Sequence, residues 1–190
     1  TGKKTDKFGI PISDSKKIYK YARELRHINI KGIDIHIGSQ ICNLSPFKRA
    51  FKKVLNFCIE LESLGFDIKN IDLGGGIGIK YNTDKQDLRF LNNYVNLIKE
   101  TFKKTNKKII IEPGRFLVAN TGILVTKVLY KKTIDNKNFL IIDAGMNDLM
   151  RPALYDAKHS IKPLEKKIKD QKTKKFEVVG TICETADVMV

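Results

Sequence analysis

The sequence has no tryptophan, only three cysteines, three histidines and five prolines in 190 residues. Cys42, Cys58 and Cys183 form no CxxC pair, so a zinc-type ligand spacing is missing and no metal site is expected. An odd cysteine count without a secretory leader fits a reducing compartment, and the expected location is cytoplasmic. The opening TGKKTDKFGI has no apolar stretch of the secretory kind. It also lacks an initiating Met, as expected of a chain that begins inside a larger one. No apolar run approaches the ~18 residues of a membrane-spanning helix, so no membrane partner is expected. Arginine is scarce as well: six residues of the 36 Lys+Arg. Sequence-specific nucleic-acid readers favour Arg, and single-strand binders add aromatic platforms. Neither is concentrated here. The net charge of +15 comes from scattered lysines such as Lys16, Lys17, Lys20, Lys52, Lys53, Lys103 and Lys104. They read as a solvated surface, and no nucleic-acid partner is expected.

What is present is enough to fold. Hydrophobic residues make up 42% and charged residues 30%, the balance of a globular core. The pattern alternates strand and helix. Lys7–Ile10 reads as a short strand, and Ser13 as the cap of a helix to about Arg26 with Ile18, Tyr21, Ala22 and Leu25 on one face. GIDIHIG, residues 32–38, alternates isoleucine with polar residues, which is a strand with one polar side. Ser45 and Pro46 start a helix with Phe47, Phe51, Val54, Leu55, Cys58 and Leu61 on its apolar face, closed by Gly65. A strand over 70–73 leads into Gly74, Gly75 and Gly76. A helix from Asp87 carries Leu88, Leu91, Tyr94, Val95, Ile98 and Phe102. A last strand, 108–111, runs into Glu112, Pro113, Gly114 and Arg115. After Arg115 the rhythm becomes strand-like, over 122–131, 138–143 and 176–183, with a lysine-rich connection at 158–175. Repeated β-α units imply a parallel sheet. A complete (β/α)8 barrel takes about 250 residues. The expected fold is therefore α/β: the second half of a (β/α)8 TIM-like barrel over residues 1–118, followed by the start of a mostly β domain over 119–190.

The chemistry-bearing residues collect at the carboxyl ends of the parallel strands, where barrel active sites are built. Gly74–Gly76 would let backbone N–H groups approach an anion, or simply make a tight turn. The spacing is not GxGxxG, which disfavours a Rossmann site. Glu112, after three isoleucines and before a proline, is expected to be poorly solvated and to seek a cation. That cation is either Arg115 or a protonated ring nitrogen. His36 is either a satisfied interior histidine or a ring that stacks on a ligand or moves a proton. Arg151 and Tyr155 are expected in loops, with Arg151 binding a carboxylate or pairing with Asp148 or Asp156. Cys183 is either a buried thiol or a proton donor.

Taken in order, KFGI, HIGSQ, DLGGGIGI, EPGR, DAGMNDLMRPALYDAKH and ICETADV closely resemble the diaminopimelate decarboxylases. These are pyridoxal-phosphate enzymes of the alanine-racemase-like fold. The resemblance runs from about Lys7 to Val190. It implies pyridoxal 5'-phosphate as cofactor, with His36 stacked on its ring, Ser39 nearby, and Gly74, Gly75, Gly76, Gly114 and Arg115 at its phosphate. Glu112 would face the pyridine nitrogen. Arg115, Arg151, Tyr155 and Glu184 would hold the substrate, meso-2,6-diaminopimelate. It also implies a head-to-tail homodimer with shared active sites, in which Cys183 and Glu184 reach the other subunit and Cys183 donates a proton.

The sequence departs from that family in places. No segment resembles the YAxKAN that carries the cofactor-anchoring lysine, and the late tyrosine near the phosphate is missing. Thr181, Thr185 and Ala186 replace the Pro, Ser and Gly often found around Cys-Glu. An internal fragment, inactive alone, is the expectation. The alternatives are a decarboxylase of the same fold acting on ornithine, arginine or carboxynorspermidine, a non-catalytic dimerising relic, and a polyanion binder. RPALY and EPGR together favour diaminopimelate.

Overall fold

The computed structural model describes residues 7–81, 88–164 and 174–189. The chain forms two compact units, Thr1–Ile79 with Gln86–Thr121, and Lys80–Lys85 with Gly122–Val190.

In the first unit, helix α1 spans Ile12–Glu24, followed by strand β1 (Gly32–Asp34), α2 (Leu44–Ser63), β2 (Asn70–Asp72), α3 (Leu88–Phe102), β3 (Lys108–Ile110) and the short α4 (Gly114–Val118). The strands pair in parallel in the order β1-β2-β3, with Ile33, Ile71 and Ile109 in register. One face of this sheet is apolar. Ile33, Ile71 and Leu73 pack there against Phe47, Phe51, Val54, Phe57, Cys58 and Leu61 of α2 and against Tyr94 and Phe102 of α3. These residues recur three or four apart along α2, with Phe57 and Cys58 adjacent, and eight apart on α3, which puts each set on one stripe. Asn43 caps α2, its side chain accepting the Ser45 N–H at 2.8 Å. Gly65 ends it at φ 78°. Tyr94 sits at the centre of an aromatic group, 5.0 Å from Phe47 and 5.9 Å from Phe51 between ring centroids.

The N-terminal part departs from expectation. Residues 7–10 form bends and no strand, and Pro11 rather than Ser13 holds the cap position of α1. Ser15 donates its hydroxyl to the Pro11 carbonyl instead, at 3.0 Å. The α1 residue that reaches the core is Tyr19, with edge contacts to Phe57 and Phe66 and a 2.8 Å hydrogen bond to the Gly32 carbonyl. Tyr21, expected on that face, is exposed. Asp87, the expected start of α3, lies outside the described residues, as do Val190 and part of the 158–175 connection.

The second unit is a three-stranded sheet in the order β4-β5-β6, formed by Val128–Ile134, Lys137–Ile142 and Glu177–Val179. β4 and β5 form an antiparallel hairpin around Asp135 and Asn136, with Asp135 at φ 49°. β6 joins β5 in parallel. Its core is small: Ile142, Ala144, Val178 and Met189, flanked by Leu140 and Leu149. Strand β4 starts later than the expected 122, and β6 ends at Val179, short of the expected 183, with a turn region from Thr181 on. Among the described residues, no helix is long and apolar enough to cross a membrane.

The Tyr94 hydroxyl is buried without a hydrogen-bond partner. Burial first, and the Asp72 charge second, push its pKa from the ordinary 10.0 up to about 12. The folded state therefore keeps this proton longer than the unfolded one, and stability falls as pH rises through that interval. Tyr94→Phe should raise stability by about 1 kcal/mol at neutral pH, because a stranded polar atom is removed. It should also lessen the alkaline loss. Urea unfolding at neutral pH and near pH 11 checks both signs.

Candidate active site

The three parallel strands do not stop at their last ladder residues. Ile35 donates to the Asp72 carbonyl at 3.1 Å, Leu73 to that of Ile110 at 2.9 Å, and Glu112 to that of Gly74 at 2.8 Å. These bonds zip together the segments bearing His36, the glycine run and Glu112. The zip has a steric requirement. A Cβ on Gly74 would lie 2.1 Å from the Ile35 carbonyl oxygen, and one on Gly75 2.2 Å from that of Glu112. A Cβ on Gly76 would lie 2.3 Å from the Gly38 oxygen. Gly74 and Gly76 also have φ of 66° and 96°, where side chains are strained. The run is therefore both a tight turn and a place where strand ends converge. Asp72 shapes it, its carboxylate accepting the Gly74 N–H at 2.9 Å.

His36 is exposed, which removes the interior-histidine alternative. Its Nδ1 accepts the Gly75 N–H across a long 3.5 Å contact. That contact needs Nδ1 unprotonated. Ser39 is exposed beyond it, and the chain turns at Gln40 with φ 60°. The Gln40 amide joins its own turn to Ile79 and to Arg115 of α4. It donates to the Ile79 carbonyl at 2.6 Å, accepts the Ile79 N–H at 3.2 Å, and accepts Nη1 of Arg115 at 3.1 Å.

Glu112 corrects the expectation of poor solvation: it is exposed. Two causes combine. The carboxylate stands past the end of β3 rather than in the apolar run, and Arg115 turns to Gln40. Oxygens of Asp34, Asp72 and Glu112 lie within 4.8 Å of one another. Burial and then the Asp72 charge raise the Asp34 pKa, opposed by His36. Crowded carboxylates on one rim favour a cation or a proton.

The second unit supplies its own set. Arg151 opens α5 (Arg151–Tyr155), so it and Tyr155 stand on a short helix rather than in loops. Pro152 at the first turn makes that helix possible. The Arg151 guanidinium lies over the Tyr155 ring, 5.3 Å from its centroid, rather than in the alternative ion pair with Asp148 or Asp156. Cys183 is exposed, which removes the buried-thiol alternative. Glu184 beside it is exposed, its pKa held down by the Thr185 hydroxyl first and by the backbone of Ala186 and Thr185 next. Asp187 underpins this turn. It is 3% exposed, and its carboxylate accepts the Met146 N–H at 2.6 Å and the Ile182 N–H at 2.8 Å.

Three residues here went unread in the sequence: Gln40, Asp72 and Asp187. Only Asp72 carried a signal, an Asp two residues before a glycine turn.

Residues 1–119 match the pyridoxal-dependent decarboxylases, pyridoxal binding domain. The chain belongs to this family. The Aquifex aeolicus diaminopimelate decarboxylase is 43% identical over 189 residues, covering 100% of this chain and 44% of that protein. The Pseudomonas aeruginosa one is 40% identical, covering 100% and 45%. The chain thus spans less than half the length of these relatives. Among solved structures, the Helicobacter pylori diaminopimelate decarboxylase complexed with L-lysine superposes with a TM-score of 0.90 at 36% identity. It covers 100% of this chain and 46% of that one. A Chlorella virus arginine decarboxylase superposes at 0.85 with 23% identity, a likeness of fold. The structural neighbours share the alanine-racemase-like barrel fold that the resemblance implies, and the parallel β-α units of this chain agree with the partial barrel expected from the β-α rhythm.

The glycines separate packing from ligand space. Gly75→Ala should cost at least about 2 kcal/mol, because backbone must move to admit the methyl group. Gly114→Ala, with nothing within 4 Å of the added atom, should stay within about 0.5 kcal/mol. Asp187→Ala strands two backbone donors and should cost about 2 kcal/mol or more. Urea denaturation of each variant measures all three.

Proposed function

We propose that this chain is part of a diaminopimelate decarboxylase, which releases CO2 from meso-2,6-diaminopimelate and yields L-lysine, the last step of lysine biosynthesis. The observation that carries this reading is the 43% identity to such an enzyme along the whole chain.

The residues at the strand ends fit pyridoxal 5'-phosphate. The Gly76 N–H has no acceptor among the described residues, and Arg115 keeps four of its five N–H donors without a partner among them once Gln40 is satisfied. Together they suit a phosphate. The free Glu112 carboxylate suits a protonated pyridine nitrogen, and the exposed His36 ring a flat partner. When bound, the cofactor supplies the electron sink that lets CO2 leave. Glu112 would keep the ring nitrogen protonated. Ser39, Gly74, Gly75 and Gly114 would line the cofactor, and Arg115, Arg151, Tyr155 and Glu184 would hold the carboxylates and amines of the substrate. Cys183, exposed on its turn, would donate the proton that replaces CO2. A homodimer with shared sites would bring Cys183 and Glu184 of one subunit to the barrel of the other, in the cytoplasm. No lysine of this chain is assigned the covalent anchor.

Carbon dioxide release from meso-diaminopimelate, ornithine and arginine, measured side by side on the protein made from its complete gene, tests the substrate. Preference for ornithine would sink the assignment. Cys183→Ala should lower turnover about a hundredfold or more, the scale of a lost general acid, with cofactor affinity nearly unchanged. Unaltered turnover would remove Cys183 from that role.

A further inference from the structure

We infer that Gln40 is a positioning residue: its amide aims the Arg115 guanidinium at the anion that the Gly76 N–H also serves, the phosphate of the cofactor. The inference rests on the cofactor reading above and adds a residue to it.

Three observations carry it. First, one half-buried amide makes three hydrogen bonds, two to Ile79 and one to Arg115 of α4. Gln40 holds φ 60° while doing so, a conformation that costs a non-glycine residue free energy and persists only where surrounding bonds enforce it. Second, the next residue is locked to the glycine run, with the Ile41 N–H donating to the Gly76 carbonyl at 2.8 Å and the Gly78 N–H to the Ile41 carbonyl at 3.0 Å. Gln40 thus ties Arg115 to the same short segment as the unsatisfied Gly76 N–H. Third, the partner is neutral. A carboxylate at position 40 would fix the guanidinium equally well but would cancel its charge. An amide fixes the direction and leaves the positive charge for an external anion. Glu112 does not cancel it either: among the described residues Arg115 bonds to Gln40 and forms no ion pair with Glu112.

A phosphate and a substrate carboxylate would both suit this guanidinium, and the phosphate is favoured because the segment bonded to Ile41, next to Gln40, carries the unsatisfied Gly76 N–H. The test is equilibrium binding of pyridoxal phosphate and of pyridoxal, which lacks the phosphate, to the protein made from its complete gene. Gln40→Met keeps the volume and removes the hydrogen bonds. The ratio of the two affinities should fall about tenfold, the scale of one hydrogen bond to a charged group, while pyridoxal binding holds. In an Arg115→Ala background, Gln40→Met should change the ratio no further. A general loosening of the fold would weaken both ligands alike, and an unchanged ratio overturns the inference while leaving the cofactor reading intact. An increase in KM for the substrate with the ratio unchanged would aim Arg115 at the carboxylate and also overturn it. If the unaltered protein does not prefer pyridoxal phosphate over pyridoxal, the cofactor reading falls, and this inference with it.

Discussion

The first unit depends on how closely three parallel strand ends can approach. Backbone carbonyls of Ile35, Glu112 and Gly38 stand where the Cβ atoms of Gly74, Gly75 and Gly76 would be. Any side chain there would force the strands apart and break the bonds by which Ile35, Leu73 and Glu112 extend the ladder. Because the strands do meet, residues from three distant stretches of chain share one rim. The glycine run is therefore first a packing device, and the same missing atoms would let its N–H groups approach the anion proposed for this rim.

The two faces of the sheet divide the work. On one, isoleucines in register and the aromatic residues of α2 and α3 exclude water and hold the strands flat against the helices. On the other stand Asp34, Asp72, Glu112 and His36, groups that would destabilise a core. Burial first, and the Asp72 charge second, raise the pKa of Asp34, against the opposing pull of His36, so this rim favours a proton or a cation. In the second unit the buried Asp187 plays the part that the glycines play in the first. It gathers backbone donors from two turns and so presents Cys183 and Glu184 to solvent.

Much of this was legible in the residues. The period-two alternation of GIDIHIG, the apolar stripe of α2 and the glycine run announced a β-α rhythm, because local periodicity directly reports which side of an element is buried. The motifs at the strand ends pointed to the family. Other features were not legible. Lys7–Ile10 has the composition of a strand but pairs with no strand among the described residues, and pairing is what makes a strand. Arg151 and Tyr155 looked like loop residues until Pro152 proved to start a helical turn. Glu112 looked buried because three isoleucines precede it, yet its exposure depends on where β3 ends.

The sequence by itself determined the order of elements, the apolar stripe of each helix and the kinds of residue at each strand end, since these are set by neighbours a few positions away. Only the tertiary structure decided partners. Gln40 and Arg115 are 75 residues apart, and nothing local says that the arginine prefers a neutral amide to the nearby Glu112. That choice is made by the distance between strand ends, which the glycines and the register of the parallel sheet fix jointly.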